Sequence, residues 1–360
     1  MKILILNWRC WKNPLAGGAE NYLYEISKRL VKKGHKITWF VSSFEGSKET
    51  EFEDGIEIIR RGSRFSVYFY AFWYYLKDLR KRNFDLVIES INGVPFFTPL
   101  YTWKPTNIAI LYHLVGWKIF SIELNLYQAI IAQIAEKLIP LFYFSTPLIT
   151  VSKSSKEELE KTFIRNTFIV PPGLDPWILG HSSTEKSNKP TIIYLGRWKK
   201  YKRIDLLIEA FKIVKNRIKN PELWLVGDGD WRSNEEIEGI KIFGKVEDKE
   251  KKKLLAKAWV LVSPSVKEGW GMTIIEANAC GTPCIAYDVP GLRDSIIDGE
   301  TGVLVKEDGN VKELAEATIK ILKDERLRKR LSKNAMRWAR RFSWDKSAEE
   351  FERVIKSVVE

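Results

Sequence analysis

The sequence has few of the residues on which redox and metal chemistry depend, with three cysteines and three histidines among 360 residues. Cys10, Cys280 and Cys284 make neither an even set nor a C-x-x-C pair, so no disulfide framework is predicted. A metal site at Cys280 and Cys284 is disfavoured because no histidine lies near them in the sequence. A reduced, cytoplasmic protein is the simplest interpretation.

Long hydrophobic runs are also missing. No stretch reaches the roughly 18 uncharged apolar residues that a membrane span needs. The apolar run Ile3 to Leu6 is too short for the core of a signal peptide. Glutamine occurs only at positions 128 and 133, whereas Lys and Glu are abundant, a composition that leans towards a thermophile.

The remaining composition describes a folded protein with a basic surface. Apolar residues make up 45% and charged residues 29%, and 360 residues suit two domains. The formal net charge is +13 and the pI about 9.4. An anionic partner fits this balance: nucleic acid, an acidic membrane surface or a phosphorylated small molecule. A basic but unspecialised surface stays open as the alternative.

The stretch from Ser263 to Cys284 has the order strand, glycine-bearing loop and helix start. Loops at the carboxyl ends of parallel strands bind ligands, and a helix N-terminus there favours a phosphate. Glu268 and Glu276 bracket the loop. A continuous helix would set them roughly 12 Å apart, but Gly269 and Gly271 favour a fold-back in which both face one pocket. Two solvated glutamates are the alternative.

Two further loops carry the marks of phosphate sites. Gly17 and Gly18 open a helix after the strand Lys2 to Leu6, without the G-x-G-x-x-G pattern of a nicotinamide site. Arg197 and Lys202 follow the strand Thr191 to Leu195, where cations would stabilise the charge on a leaving diphosphate. The alternatives are a plain tight turn and a surface basic cluster.

Aromatic and apolar side chains concentrate in the first half of the chain. The segment Arg64 to Arg82 is an aromatic and basic helix, and Gly93 to Pro105 and Trp117 to Tyr143 are strongly apolar. In the helix, core packing explains most of the residues, and an interfacial helix is the alternative. The other two segments are expected to form the acceptor cleft or to rest against a membrane.

The stretch Glu268-Gly269-Trp270-Gly271, with Glu276-Ala277 and Gly281-Thr282-Pro283, resembles the signature of retaining glycosyltransferases of the GT-B fold, family four. The resemblance implies that Glu268 lies beside the donor sugar and that Glu276 bonds the ribose. It also implies that the backbone from Trp270 through Gly271, Met272 and Thr273 meets the sugar and diphosphate. Trp270 stands where the family usually has Phe.

Other ordered blocks extend the resemblance over nearly the whole chain. Gly17 and Gly18 resemble the element under the donor diphosphate, and His113 resembles a histidine close to the donor sugar. Gly196, Arg197 and Lys202 resemble the diphosphate-binding block, although Arg203 replaces a common glycine, and Lys245 falls in the block near the base. The matching blocks are Gly17-Gly18-Ala19-Glu20, Pro171 to Asp175, Gly196 to Lys202, Ile242 to Val246, and Asp298 to Gly302. Asp228-x-Asp230 is discounted as a metal motif because the family has a Gly-x-Gly turn there, so no metal and no cofactor are predicted.

Together these observations predict an α/β protein of two Rossmann-like domains facing a cleft in the GT-B arrangement. The domains are residues 1–180, which bind the acceptor, and 181–342, which bind the nucleotide sugar; the helix 343–360 returns to the first domain. The predicted reaction moves a hexose from a UDP-sugar or GDP-sugar to a glycan or lipid-linked acceptor. The predicted catalytic residues are Glu268, His113, Arg197 and Lys202. Peripheral association with an anionic membrane at its inner face is a further expectation, and nucleic acid is not expected as a partner. The alternatives are a sugar-nucleotide epimerase of the same fold and a non-catalytic nucleotide-sugar-binding subunit.

Overall fold

The computed structural model describes residues 1–179, 185–229 and 237–359. The chain divides into a first unit, Met1–Gly173 with Trp344–Glu360, and a second unit, Leu174–Ser343. The predicted domain boundary at Gly180 lies outside the described residues, as does Asp230 of the discounted metal motif.

The first unit is built on an eight-stranded sheet. Its strands are β1 (Lys2–Leu6), β2 (Lys36–Val41), β3 (Thr50–Glu53), β4 (Ile56–Arg60), β5 (Leu86–Ile91), β6 (Thr106–Leu111), β7 (Leu148–Thr150) and β8 (Thr167–Ile169). The spatial order is β3-β4-β2-β1-β5-β6-β7-β8, and only β3 runs antiparallel to its neighbour. The central strands are almost wholly buried, which explains their continuous apolar sequences.

Five helices cover the two faces of this sheet: α1 (Gly18–Lys32), α2 (Val67–Lys77), α3 (Gly116–Glu123), α4 (Leu126–Tyr143) and α5 (Lys153–Glu160). Short 3-10 turns span Leu79–Arg82 and Thr98–Leu100. The β1–β2 connection moves across the sheet in one direction, whereas the β4–β5 and β6–β7 connections move in the other. Right-handed crossovers therefore place α2, α3 and α4 together on the face opposite α1.

The second unit has a six-stranded parallel sheet. Its strands are β9 (Thr191–Leu195), β10 (Glu222–Val226), β11 (Ile240–Gly244), β12 (Val260–Ser263), β13 (Cys284–Tyr287) and β14 (Gly302–Val305), in the order β11-β10-β9-β12-β13-β14. Its helices are α6 (Pro176–Leu179), α7 (Ile204–Lys215), α8 (Asp248–Lys257), α9 (Met272–Ala279), α10 (Leu292–Ser295), α11 (Val311–Lys323) and α12 (Glu325–Ala339). The strand order reverses between β9 and β12, and such switch points are where doubly wound sheets bind ligands.

The last helix, α13 (Trp344–Val359), belongs to the first unit and packs on α1. Lys33 Nζ lies 2.6 Å from Glu352 Oε2, and Arg29 Nε lies 2.6 Å from Asp345 Oδ1. The predicted fold, two Rossmann-like domains with a C-terminal helix returning to the first, is confirmed. Within the described residues no helix is both long enough and apolar enough to cross a membrane.

Candidate functional site

Two glycines at the end of β10 allow the loop after β9 to pack closely at the switch point. A Cβ on Gly227 would lie 1.9 Å from the carbonyl oxygen of Gly196, and a Cβ on Gly229 would lie 2.5 Å from that of Trp198. The amide of Trp198 donates to the carbonyl of Asp228 at 2.7 Å. The Gly-x-Gly sequence at this position therefore serves the close contact of two loops.

The switch point brings together Lys202 and Glu268, two of the predicted catalytic residues. The ammonium of Lys202 forms a hydrogen-bonded ion pair with Glu268 Oε1. The two side chains are only 16% and 18% exposed, so the pair is largely shielded from water. Burial opposes the charge on Lys202, but the Glu268 carboxylate and the nearby Tyr201 and Tyr194 outweigh it and raise the pKa of Lys202 above its ordinary value. Lys202 is therefore an ammonium throughout the physiological pH range.

The backbone around Glu268 explains why this carboxylate reaches Lys202. The amide of Glu268 donates to the carbonyl of Pro290 at 3.1 Å, and the amide of Val266 donates to Tyr201 at 2.9 Å. Gly291, at φ +83°, has its Cβ position 2.1 Å from the carbonyl oxygen of Glu268. Only glycine fits there without displacing the loop. A residue outside the recognised signature thus fixes the position of Glu268.

Helix α9 begins immediately after this loop. Gly271 occupies the N-cap at φ +85°, and as a glycine it has no side chain that could accept from the first-turn amides. The amides of Met272 and Thr273 are therefore candidate donors to a ligand. Trp270 is 8% exposed and stacks edge-to-face on Phe342 with ring centroids 5.2 Å apart. Its indole therefore anchors the loop, and any donor contact at this position falls to its backbone.

The second glutamate of the signature, Glu276, has its own cation. Lys251 Nζ on α8 lies 3.2 Å from Glu276 Oε1 and 3.1 Å from Asp248 Oδ1. Burial raises the pKa of Glu276, and Lys251 opposes that effect. Sequence reasoning missed Lys251, which sits in the run Lys249 to Lys253, where the charge pattern alone singles out no member.

Two predicted donor residues are exposed. Arg197 follows β9; its carbonyl accepts from the Tyr194 hydroxyl at 3.0 Å, while its guanidinium makes no hydrogen bond or ion pair with any described residue. Lys245 follows the edge strand β11 and is also exposed. The structure leaves both side chains to solvent, so their roles stay predictions.

The glycine pair of the first unit adjoins a buried charged cluster. The amide of Gly17 donates to Glu20 Oε2 at 2.7 Å, and Arg9 Nε lies 2.8 Å from Glu20 Oε1. Asn92, at the end of β5, donates to the same carboxylate at 3.2 Å. Arg9 and Asn92 were not identified from the sequence; they follow β1 and β5, the strands at this sheet's own reversal of order. Gly18 begins α1, and a Cβ there would meet nothing within 4 Å.

His113 follows β6 and is half-buried. Its Nδ1 lies 3.1 Å from the carbonyl oxygen of Leu114. His113, Gly17 and Gly18 belong to the first unit, whereas Lys202, Glu268 and Glu276 belong to the second. Among the described residues, no group of three or more His, Cys, Asp or Glu side chains is arranged to hold a metal ion.

Family models match both halves of the chain. A model described as "Glycosyl transferases group 1" matches residues 179–338, and one described as "Glycosyltransferase Family 4" matches residues 16–177. The first covers Arg197, Lys202, Glu268 and Glu276, and the second covers Gly17, Gly18 and His113. Both sets of candidate residues therefore fall within matched regions.

Curated relatives carry the same kind of name. An uncharacterised glycosyltransferase of Methanocaldococcus jannaschii is 30% identical over 56% of this chain and 57% of its own length. The phosphatidyl-myo-inositol mannosyltransferase of Mycobacterium leprae is 27% identical over 66% of this chain and 64% of its own length. Both alignments thus span less than two thirds of the relative. A second uncharacterised glycosyltransferase of M. jannaschii is 26% identical over 100% of this chain and 99% of its own length.

Solved structures share the fold at low identity. WaaG, described as a glycosyltransferase involved in lipopolysaccharide biosynthesis, has a TM-score of 0.78 at 19% identity over 98% of this chain and 99% of its own. Anabaena HepE in complex with UDP-glucose has a TM-score of 0.74 at 16% identity over 99% of this chain and 100% of its own. At these identities the likeness extends to the fold alone.

Proposed function

From its membership of glycosyltransferase family 4, the group 1 glycosyl transferases, we propose that the chain transfers a hexose from a nucleotide diphosphate sugar to a glycan or lipid-linked acceptor. The transfer retains the configuration at the anomeric carbon. The observation that carries the proposal is the shielded Lys202–Glu268 pair at the switch point, with Glu268 in the loop that leads into α9. The pair sets a cation and a carboxylate together at the end of the sheet where doubly wound folds bind ligands.

This arrangement suits the departure of a diphosphate. As the bond to the sugar breaks, negative charge builds on the bridging oxygen, and donors already in place stabilise it without reorganising. We assign that role to Lys202 and Arg197, with the α9 amides adding the favourable field of a helix N-terminus. Lys202 then exchanges part of its interaction with Glu268 for one with the diphosphate, which leaves the carboxylate next to the sugar.

The remaining residues are assigned to binding. Glu268 and His113 position the sugar, and Glu276, oriented by Lys251, holds the ribose. The donor is lined by eight further residues: Gly17, Gly18, Gly196, Lys245, Trp270, Gly271, Met272 and Thr273. The last four contact it chiefly through their backbone. Exclusion of water would limit hydrolysis of the donor.

The donor and acceptor classes rest on relatives. HepE binds UDP-glucose, and one relative is named a phosphatidyl-myo-inositol mannosyltransferase. A UDP-sugar or GDP-sugar donor and a lipid-linked acceptor fit those names. They also fit the +13 charge of this chain, which favours anionic ligands and surfaces. We place the enzyme in the cytoplasm, at the inner face of the membrane.

The test is a transfer assay with a panel of UDP-, GDP- and ADP-hexoses and lipid extracts as acceptors. We expect release of one nucleoside diphosphate coupled to a glycosylated lipid, and proton NMR of the product should show the anomeric configuration of the donor. Release that is unchanged by EDTA would support a metal-independent reaction.

The control is Glu268→Gln, which preserves the size of the side chain but removes its charge. It should lose transfer while keeping nucleotide binding. An inverted product, or an epimerised nucleotide sugar without transfer, would overturn the proposal.

A further inference from the structure

The helices α2 and α4 expose an unusual number of large apolar side chains. On α2, Val67, Ala71 and Tyr75 face the core at helical spacing, while Phe69 and Trp73 are 65% and 57% exposed. On α4, the inward residues include Ala129, Ile139 and Tyr143. Its exposed stripe comprises Leu126, Tyr127, Ile130, Ile131, Ile134, Leu138 and Leu141. Each helix is therefore apolar on both sides, although only one side is buried by the protein.

These exposed residues lie on one continuous surface. α2 and α4 cover the same face of the first sheet, and the segment between β5 and β6 joins them. Phe72 of α2 stacks on Tyr101 with centroids 5.2 Å apart, and Phe97 stacks on Phe142 of α4 at 5.2 Å. The same segment exposes Leu100 and Trp103, which is 80% exposed. We call this surface, which comprises residues 64–82, 97–104 and 116–144, the docking face.

The charge of the docking face is one-sided. These residues include eight Lys and Arg but only three Asp and Glu. One of the three, Glu136, is buried and accepts hydrogen bonds from the amides of Val115 and Gly116. A surface that is apolar, rich in Trp and Tyr, and fringed with cations has the composition of elements that lie in a membrane interface.

We propose that the docking face rests on a lipid bilayer that contains anionic lipids, with the exposed side chains of α2 and α4 inserted among the headgroups. The inference rests on the proposed function in one respect, the lipid-linked acceptor, but it is tested without transfer activity. Apolar patches of this extent on a monomer mark an interaction surface. The charge selects the partner, because a second copy of this chain would bring like charges together at a two-fold interface, whereas an anionic bilayer supplies the opposite charge.

The experiment is flotation of the intact protein with two kinds of vesicle, one of phosphatidylcholine alone and one with about a third phosphatidylserine. We expect binding to the anionic vesicles that weakens as salt rises, since headgroup attraction is screened. Two variants remove exposed apolar groups: Phe69→Glu with Trp73→Glu on α2, and Ile134→Glu with Leu141→Glu on α4. Each should weaken vesicle binding by at least about tenfold, because each replaces two side chains that insert with charged ones.

The matched control is Ile242→Glu on β11 of the second unit, where the side chain is 58% exposed, close to the value for Trp73. It should float like the unaltered protein. Circular dichroism and melting temperature check that every variant folds. Calorimetric binding of a nucleoside diphosphate, expected to be unchanged in the two docking-face variants, separates this test from the proposed function.

Three results would overturn the inference: no flotation of the unaltered protein at low salt, equal flotation of the variants and the Ile242→Glu control, or a dimer in size-exclusion chromatography that the variants dissociate. The last would assign the face to a second copy of the chain. Flotation without nucleotide binding would support the docking face and contradict the proposed function.

Discussion

Replacing either member of the Lys202–Glu268 pair should have opposite effects on nucleotide affinity. In Lys202→Met the diphosphate loses a charge-assisted hydrogen bond worth about 1.5–3 kcal/mol. At about 1.4 kcal/mol per tenfold, affinity for the cognate nucleoside diphosphate should fall by roughly 10- to 100-fold. In Glu268→Gln the ammonium loses the carboxylate that competes with the diphosphate, so affinity should stay the same or rise while transfer is lost.

The pair also contributes to the stability of the second unit. Removing one member of a fully buried ion pair costs about 3–5 kcal/mol, because the other charge stays buried without its partner. Since 16% and 18% of the two side chains remain exposed, we expect roughly 1–3 kcal/mol here. The double variant Lys202→Met/Glu268→Gln should recover part of that loss, because no uncompensated charge remains.

The assays are calorimetric titration with the cognate nucleoside diphosphate and thermal unfolding of the three variants. The two readouts separate ligand binding from stability. The reasoning is refuted if Glu268→Gln weakens nucleotide binding as much as Lys202→Met does, since Glu268 would then bind the nucleotide rather than compete for the lysine.

Three other changes test the surroundings of the site. Lys251→Met should raise the KM for the donor about tenfold, with a smaller effect on kcat, because Glu276 loses the cation that orients it. Steady-state kinetics measures both constants, and an effect on kcat alone would contradict the role assigned to Lys251. Gly291→Ala should reduce activity and lower the melting temperature, because the new Cβ would overlap the carbonyl oxygen of Glu268. Gly18→Ala is the control for stability: its Cβ would have no atom within 4 Å, so the melting temperature should not fall. Hydrogen bonds from Lys33 and Lys356 hold the pKa of Glu352 at about 2, so Glu352→Gln should lower the melting temperature at pH 7. Because the pKa of Glu352 is depressed in the folded state, that difference should be full above about pH 4.5 and shrink as the pH falls towards 2; a difference independent of pH would rule out the ionic origin.

Much of the fold follows from local sequence. The strands Lys2–Leu6 and Thr191–Leu195 have the predicted bounds, since apolar runs between clear stop signals define them. The hairpin β3–β4 was not predicted, because its first strand, Thr-Glu-Phe-Glu, is half-exposed and lacks a buried run.

The site was less predictable where it depends on packing. The partner of Glu268 was in the predicted set, yet only the folded chain shows that Lys202 reaches it across 66 positions. Lys251 was missed because three other lysines, Lys249, Lys252 and Lys253, lie within two residues of it, and only the packing of α8 against α9 selects it. The backbone of Trp270 was expected to meet the donor, and this stays a prediction; that its indole packs on Phe342 is visible only in the folded chain.

The docking face illustrates a different limit. The sequence showed that Arg64 to Arg82 and Trp117 to Tyr143 are aromatic and apolar, but for the first of these segments core packing was expected to explain most of the residues. Their exposure depends on how many of their side chains the sheet can cover, which is a property of the folded unit. The right-handed crossovers that place both helices on one face are likewise visible only once the strand order is known.

The central claim is that the second unit binds a nucleoside diphosphate through the cations that follow β9. Calorimetric titration of the protein with UDP, GDP, ADP and NAD, without added metal, tests this claim most directly. The variant to compare is Arg197→Ala. Because the Arg197 guanidinium has no partner among the described residues, its removal should leave the melting temperature unchanged. The account predicts that one of the three nucleoside diphosphates binds and that Arg197→Ala weakens it at least about tenfold. Binding of NAD alone, or of none of the four, would contradict it.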